Sequence, residues 1–179
     1  TDEMVKIAMR HVPNACCLVP ERRREVTTEG GLDIKTDSKA LIPVVNKLKD
    51  AGLRLSLFVD PDLSQIAAAK SISADIVELH TGPYCDAALE NDSKRTGAEL
   101  ARLGSAATAA LDCGLEVHAG HGLTYNTVRA VAAMPQLVEL NIGHFLVGEA
   151  IFGGLLATIR RMREQMDSSR KEVFRPHSA

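Results

Sequence analysis

The feature that most constrains the fold of this chain is an alternation of short β-branched runs with longer amphipathic stretches. The alternation returns about every thirty residues, the period of consecutive βα units. Five runs are predicted to be strands, at residues 14–19, 53–59, 75–80, 115–119 and 137–142. The stretches between them carry apolar residues at helical spacing, such as Leu41, Val44, Val45 and Leu48. The sequence therefore predicts an α/β fold with five parallel strands.

Five parallel strands can belong to a closed (β/α)8 barrel or to an open doubly wound sheet. The unusual polar residues lie at the C-terminal ends of nearly all the predicted strands: Asp60, Glu78, His80, His118, His121, Asn141 and His144. A barrel gathers ligands from many strand ends around one mouth, whereas an open sheet concentrates them at one switch point. This distribution favours a TIM-type (β/α)8 barrel, of which about the last five βα units are present.

The expected domain organisation is a partial barrel over residues 1–166 and a polar C-terminal tail that frays, over residues 167–179. Residues 2–11 are helical by their apolar spacing, and no strand pattern precedes them. We therefore expect the first three strands of the barrel to be missing from this chain. Residues 145–166 are predicted to form the longest helix, weakened early by Gly153 and Gly154. Asp60 and Pro61 are expected to begin the helix after the second strand.

Composition and charge indicate a small-molecule partner in a cytoplasmic protein. The formal net charge is -2, and the basic run at residues 22–24 is too short to indicate binding to nucleic acid or anionic lipid. No apolar run approaches the roughly 20 residues of a membrane span, and residues 1–11 do not resemble a signal peptide. The four cysteines lack zinc-ligand spacing, so no metal site is predicted, and Cys16 and Cys17 are expected to be buried and inert.

Two glycine–histidine motifs follow consecutive predicted strands. In HAGHGLTY, at residues 118–125, Gly120 and Gly122 flank His121, and NIGH at residues 141–144 again places a glycine beside a histidine. Glycine amides near a helix N-terminus in two adjacent barrel loops are typical of a phosphate site. Each motif alone is also compatible with a tight turn that carries an incidental histidine. Their matching positions in adjacent units favour phosphate binding.

Glu78 and His80 fall on the same side of their strand, because side chains in a strand alternate between its two faces. In a parallel barrel this side is the interior, where an ionised carboxylate is paired or functional. Pairing with a neighbouring histidine and a catalytic role both remain open for Glu78. The charged loop at residues 20–31 carries Thr27 and Thr28, whose hydroxyls can bind a phosphate, although its arginines are also typical of a solvated surface.

The segments that combine these features resemble one family. The stretches CCLVPERRREVTTEGGLD, SLFVD, VELHTG, AGHGLTYNTV and ELNIGH, in this order and spacing, are similar to pyridoxine 5'-phosphate synthases, from residue 1 to about residue 166. The resemblance implies a homo-octameric (β/α)8-barrel transferase of vitamin B6 biosynthesis. It implies condensation of 1-deoxy-D-xylulose 5-phosphate with 3-amino-2-oxopropyl phosphate, with release of phosphate and water. Neither a metal nor a redox cofactor is implied.

The resemblance also implies roles for individual residues. His121 matches the family's proton donor, and Gly122, Gly143 and His144 match residues that hold the phosphate of the amino-ketone substrate. Thr27 matches a residue that contacts deoxyxylulose phosphate.

The resemblance also bears on two further positions. Glu78 matches a catalytic glutamate, and His118 stands where the family is expected to have asparagine. The family's groups on its first three strands include a catalytic histidine and a catalytic glutamate. These groups have no counterpart here, so the chain as given is expected to lack part of the active site and not to turn over.

Two other functions remain compatible with the sequence. One is an isomerase or synthase that acts on another sugar phosphate in a similar barrel. The other is a non-catalytic barrel fragment that serves in assembly or binding. No lysine lies at a predicted strand end, which disfavours a Schiff-base mechanism in this part of the barrel.

Overall fold

The computed structural model describes residues 1–20 and 30–173, in which strands and helices alternate. The strands are β1 Ala15–Leu18, β2 Arg54–Val59, β3 Ile76–His80, β4 Glu116–Gly120 and β5 Leu137–Asn141. The helices are α1 Asp2–His11, α2 Ile34–Asp50, α3 Leu63–Ser71, α4 Gly82–Leu89, α5 Ser93–Asp112, α6 Val128–Ala132, α7 His144–Gly153 and α8 Leu155–Val173. All five predicted strands are confirmed, as is the helix predicted at residues 2–11.

The strands form one parallel sheet in the order β1-β2-β3-β4-β5. One level of the sheet runs from Leu57 through Val77 and Val117 to Leu137. The register shifts between β4 and β5, where His118 pairs with Glu139. Within the described residues, β1 and β5 each pair with one neighbouring strand. This parallel α/β architecture is consistent with part of a TIM-type barrel.

The two faces of the sheet have different chemistry because successive side chains point to opposite sides. One face packs against the helices and holds the apolar core, which includes Leu55, Leu57, Val77, Leu79, Val117 and Ala119 from the sheet with Val45, Leu48, Ile66 and Leu103 from the helices. Burying one such leucine, isoleucine or valine contributes roughly 1.5–3 kcal/mol. The opposite face carries polar residues, including Glu78, His80 and His118, and these are therefore available for chemistry.

The helix after β2 begins two residues later than the sequence predicts. Asp62 is the N-cap of α3 and its Oδ1 accepts a hydrogen bond of 2.7 Å from Ser64 N. The prediction that Asp60 caps this helix is therefore wrong, because Asp62 offers the same carboxylate closer to the helical turn. Asp60 is left to bind other groups.

The predicted helix at residues 145–166 is two helices. Gly154 has φ +80°, a left-handed conformation that glycine adopts readily, and it separates α7 from α8. α8 continues to Val173, so the boundary predicted at residue 166 falls within this helix. Ser169, which is buried, donates a hydrogen bond of 2.8 Å to Arg129 O and docks this part of α8.

Among the described residues, no helix combines the length and the hydropathy that crossing a bilayer requires.

Candidate active site

A cavity of about 410 Å³ lies at the C-terminal ends of the strands. This volume is within the range of small-molecule sites. Its lining includes five of the six predicted site residues, namely Glu78, His121, Gly122, Gly143 and His144. The sixth, Thr27, lies outside the described residues. The structure thus brings together residues from three consecutive βα units that are up to 66 positions apart, from Glu78 to His144.

His121 occupies a backbone conformation that is uncommon for a residue with a side chain, with φ +78°. Thr81 holds this turn in place, because its hydroxyl donates to Gly120 O at 2.8 Å and also to His121 O. A non-glycine residue in this region costs on the order of 1 kcal/mol. Burial lowers the pKa of His121, with a further contribution from the nearby His80. The imidazole is therefore a stronger acid than free histidine when it is protonated.

Gly122 is required by both its conformation and its surroundings. Its φ is +84°, and a Cβ at this position would lie 3.1 Å from Cys85 Cβ. The glycine lets the turn after β4 approach α4 closely, which agrees with the tight turn that the sequence left open as an alternative for this motif.

The N-terminus of α7 faces the cavity. Gly143 is the N-cap residue, and it provides no side-chain hydrogen bond to the first turn, which begins at His144. Helix N-termini carry unpaired N–H groups and a partial positive charge, so this turn can bind an anion. A Cβ at Gly143 would meet nothing within 4 Å, so packing does not require glycine here.

Glu78 accepts hydrogen bonds from side chains on the two edge strands of the sheet, β1 and β5. Its Oε2 accepts hydrogen bonds from Asn141 Nδ2 on β5 at 2.9 Å and from Cys17 Sγ on β1 at 3.7 Å. A Cβ on Gly120 would lie 2.6 Å from Oε1, so glycine is needed to leave room for the carboxylate. Burial raises the pKa of Glu78, and the two donors partly offset this effect. The carboxylate is thus oriented through Oε2, and Oε1 is not occupied by either donor.

The expectation that Cys16 and Cys17 are both buried is wrong. Cys16 is partly exposed, and Cys17 is exposed on the polar face of the sheet, where it donates to Glu78. Although part of the residue is exposed to solvent, the surrounding protein atoms desolvate the thiol and raise the pKa of Cys17 to about 12, with smaller contributions from Glu78. Cys17 therefore stays a protonated donor at neutral pH. No motif in the sequence indicated this contact, because it joins residues 61 positions apart.

His80 belongs to a second carboxylate–histidine pair. Its Nδ1 lies 3.1 Å from Asp60 Oδ1, which also accepts from Gly31 N at 3.1 Å. The hydrogen bond with His80 lowers the pKa of Asp60, so this carboxylate is ionised at neutral pH. The His80 and His121 rings pack edge to face with centroids 5.0 Å apart. His80 therefore pairs with Asp60. Among the described contacts, Glu78 makes no hydrogen bond to His80, so these contacts do not support the open possibility that Glu78 pairs with this histidine.

An ion-pair cluster, formed by Arg54, Glu116, His118 and Glu139, lies on the same face of the sheet further from the cavity. His118 Nε2 is 2.8 Å from Glu116 Oε1, and His118 Nδ1 is 3.5 Å from Glu139 Oε1. Arg54 Nη2 is 2.8 Å from Glu116 Oε2, and this bond is the main cause of the lowered pKa of Glu116. His118, which the sequence places among the strand-end residues, thus pairs with carboxylates and does not line the cavity.

The cavity lies at the C-terminal ends of parallel strands and is lined by histidines, a carboxylate and a helix N-terminus. This arrangement is typical of α/β enzymes of the TIM-barrel type. A profile of the family described as "Pyridoxal phosphate biosynthesis protein PdxJ" matches residues 1–168. The chain belongs to this family.

Curated relatives agree with this assignment. A protein of Xanthobacter autotrophicus named "Pyridoxine 5'-phosphate synthase" is 58% identical over 173 residues, which are 97% of this chain and 67% of that protein. Proteins of the same name from Roseobacter denitrificans and Caulobacter vibrioides are 54% and 55% identical, over 95% and 97% of this chain and 68% of each relative. The chain therefore spans about two thirds of the length of these relatives.

Proposed function

We propose that the protein is a pyridoxine 5'-phosphate synthase, which condenses 3-amino-2-oxopropyl phosphate with 1-deoxy-D-xylulose 5-phosphate. The observation that carries the proposal is the convergence of five predicted site residues on one cavity in a member of this family. The products are pyridoxine 5'-phosphate, inorganic phosphate and water. No metal or redox cofactor takes part in the proposed chemistry.

Phosphate recognition is assigned to the amides of Gly122, Gly143 and His144. These residues line the cavity, and the first turn of α7 has no side-chain cap from Gly143. A phosphate dianion there would accept hydrogen bonds from the unpaired N–H groups and interact favourably with the helix dipole. Thr27 is proposed to contact the second phosphorylated substrate. Two anchored phosphates would hold both reactants in register.

Proton transfer is assigned to His121. The amine of one substrate and the ketone of the other form an imine with loss of water, after which phosphate leaves, water adds and an aldol-type step closes the ring. Loss of two further water molecules then makes the ring aromatic. Each step needs a proton to move, and a histidine near neutrality is suited to this task. A bound phosphate beside the imidazole would favour its protonated form and offset the effect of burial.

Glu78 is assigned to stabilise positive charge at the imine and to accept a proton from the same region. Its Oε2 is held by Asn141 and Cys17, which leaves Oε1 for the substrate. A fixed carboxylate in a partly dry cavity stabilises developing positive charge more strongly than one in water.

The proposed architecture is a (β/α)8 barrel in which these five strands are the last five and pair at their edges with the first three. The parallel sequential order of the sheet and the polar face opposite the helices support this proposal. A cytoplasmic homo-octamer, with small phosphorylated substrates as its partners, is proposed from the family resemblance. Analytical ultracentrifugation tests the octamer directly.

Turnover is tested in a full-length chimera, in which this chain replaces the matching two thirds of the Xanthobacter relative. Release of inorganic phosphate and formation of pyridoxine 5'-phosphate are measured with both substrates and with each alone. The proposal requires both products only when both substrates are present. Substrate binding without product would support the non-catalytic alternative, and turnover of another sugar phosphate in preference would replace the proposed substrate.

Phosphate binding is tested in the chain itself by amide NMR during titration with inorganic phosphate. The amide resonances of Gly122, Gly143 and His144 should shift with a common dissociation constant. The solvent-exposed Gly97 in α5, far from the cavity lining, serves as the control. Shifts confined to other residues would contradict the assignment of the phosphate site.

A further inference from the structure

Asp60, His80 and His121 are neighbours at the ends of three consecutive strands. Asp60 follows β2, His80 ends β3 and His121 follows β4. Asp60 Oδ1 lies 3.1 Å from His80 Nδ1, and the His80 ring lies 5.0 Å from the His121 ring. His80 is almost completely buried, with 4% of its surface exposed. The cavity lining includes His121, but neither Asp60 nor His80.

The hydrogen bond between Asp60 and His80 fixes the orientation of the His80 ring. An ionised carboxylate can only accept hydrogen bonds, so His80 Nδ1 is the protonated nitrogen. Gly31 N donates to the same carboxylate oxygen and holds Asp60 in place. The Nε2 edge of His80 is therefore directed away from Asp60.

Gly82 lies close to both histidine rings. A Cβ on this residue would lie 2.4 Å from His80 Nε2 and 3.3 Å from His121 Cδ2. Phe58 also packs against both rings, with its ring centroid 5.1 Å from that of His80 and 6.3 Å from that of His121. These contacts give His80 a defined position against His121, and Asp60 supplies the polar contact that fixes its rotation.

We propose that Asp60 and His80 form a positioning pair for His121, in which the held His80 ring sets the orientation and protonation of the proton donor. The role of His121 as donor rests on the proposed function, whereas the coupling between the two histidines does not. His80 is a positioning residue, since it acts on the substrate through His121.

Several charged groups face His121, and their effects differ in sign. Burial is the main cause of its lowered pKa; His80 from β3 and His144 from α7 lower this pKa further, and Asp86 from α4 raises it. Glu78 from β3 lines the same cavity. Asp60 fixes the His80 ring in the position from which it opposes a proton on His121. Loss of either member of the pair should therefore raise the pKa of His121.

The test follows the titration of the His121 ring by NMR in the protein labelled with 13C at histidine Cε1, without substrate. His80→Gln keeps a donor toward Asp60 and removes the second titrating ring, and His80→Phe keeps a ring without nitrogen. Both variants should raise the pKa of His121, and Asp60→Asn should raise it by a smaller amount. His11→Gln, at an exposed site on α1, is the matched control and should leave it unchanged.

A purely structural role for His80 predicts a different result. In that case His80→Phe, which fills the same space, would leave the titration of His121 as in the wild type, and this outcome would overturn the proposal. Asp60→Asn covers the possibility that changes at the buried His80 unfold the protein, because Asp60 is about half exposed. An unchanged His121 titration in a folded Asp60→Asn protein would also count against the pair.

Turnover separates this proposal from the proposed function. In the full-length chimera, His80→Phe should lower kcat by about 10- to 100-fold, the order expected when a reacting group is slightly misplaced, with little change in KM. An inactive wild-type chimera would refute the proposed reaction and leave the NMR result to decide the positioning pair. An active chimera with no change in His121 titration in any variant would refute the positioning pair alone.

Discussion

The ion-pair cluster and the cavity cluster, which consists of Glu78, His121, Asn141 and His144, occupy the same face of the sheet and contain similar residue types. In the ion-pair cluster, both His118 nitrogens lie within ion-pair distance of carboxylates, and Glu116 also contacts Arg54. In the cavity cluster, Glu78 is held by two neutral donors. A carboxylate beside opposite charges mainly stabilises the fold, whereas one held by neutral donors in a cavity keeps its charge available to a ligand.

The electrostatic consequences of the two arrangements have opposite signs. Hydrogen bonds from Arg54 and His118 lower the pKa of Glu116, whereas burial raises the pKa of Glu78. Perturbed carboxylates in clefts are more often functional than those in surface ion pairs. The comparison therefore predicts that changes in the cavity cluster affect chemistry and that changes in the ion-pair cluster affect stability.

The largest expected effect is that of His121→Asn on the chemical step. In the full-length chimera, the single-turnover rate with both substrates saturating should fall by about 100-fold or more, the usual contribution of a general acid. Asparagine keeps hydrogen-bonding capacity, so the affinity for the phosphorylated substrates should change little. Rates measured between about pH 6 and pH 9 should also lose the dependence due to this histidine. An unchanged rate with much weaker substrate binding would instead make His121 a binding residue.

Gly120→Ala tests whether the space beside Glu78 is filled. The new Cβ would lie 2.6 Å from Glu78 Oε1 and 2.7 Å from Asn141 O, so the variant should lose about 1–3 kcal/mol in urea unfolding. The matched control is Gly97→Ala in α5, where a Cβ meets nothing within 4 Å and the helix should gain about 0.5–1 kcal/mol. Equal stability of the two variants would show that Glu78 and Asn141 can move apart without cost.

His118→Asn tests the ion-pair cluster. It removes the contacts with Glu116 and Glu139, whose side chains are partly exposed, so the free energy of unfolding should fall by only about 1 kcal/mol. The single-turnover rate of the chimera should be unchanged, because His118 does not line the cavity. His11→Asn is the surface control for stability. A loss of rate without a loss of stability would move His118 into the catalytic group.

The smallest effect is the pH dependence of stability in Glu78→Gln and Glu116→Gln. A raised carboxyl pKa in the folded state weakens folding above the ordinary carboxyl range, so Glu78→Gln should gain stability relative to the wild type at pH 7, and the gain should vanish toward about pH 4. A lowered pKa has the opposite effect, so Glu116→Gln should lose stability at pH 7, and the loss should shrink as the pH falls through the folded pKa. Urea unfolding at both pH values measures the two differences, each about 1 kcal/mol or less. The same sign for both variants would contradict the comparison.

The sequence predicted the strands well because hydrophobic runs and turn signals are local. Each strand boundary lies within one residue of its predicted position, and the glycine–histidine motifs were placed at the cavity. The prediction of Asp60 as the N-cap of α3 is wrong because Asp62, two residues later, has the same capping chemistry.

The parts of the site that the sequence did not predict depend on contacts between residues that are far apart along the chain. Asn141 was seen as a strand-end residue, but its bond to Glu78 spans 63 positions. Arg54 and Glu116 begin their strands 62 positions apart and meet across β3. Neither pair has a local signal, because partners in a parallel sheet are set by the register between strands. Gly154 was recognised as a weak point, yet whether a glycine bends or divides a helix depends on the packing of the two segments.

The register shift between β4 and β5 has a consequence for how this site tolerates insertions and deletions. Val117 pairs with Leu137 and His118 with Glu139, so Val138 is one extra residue that changes the phase of β5. If the pairing instead ran on without the shift, with Val138 opposite His118, strict alternation would turn Asn141 toward the helices and Ile142 toward Glu78. The identity of the side chain at position 138, which is 67% exposed, has little bearing on this arrangement. Deleting Val138 would remove the irregularity and leave Asn141 opposite Gly120, whereas one residue added or removed between Glu139 and Asn141 would turn Asn141 away from Glu78. After the shift, the site therefore depends on the count of residues.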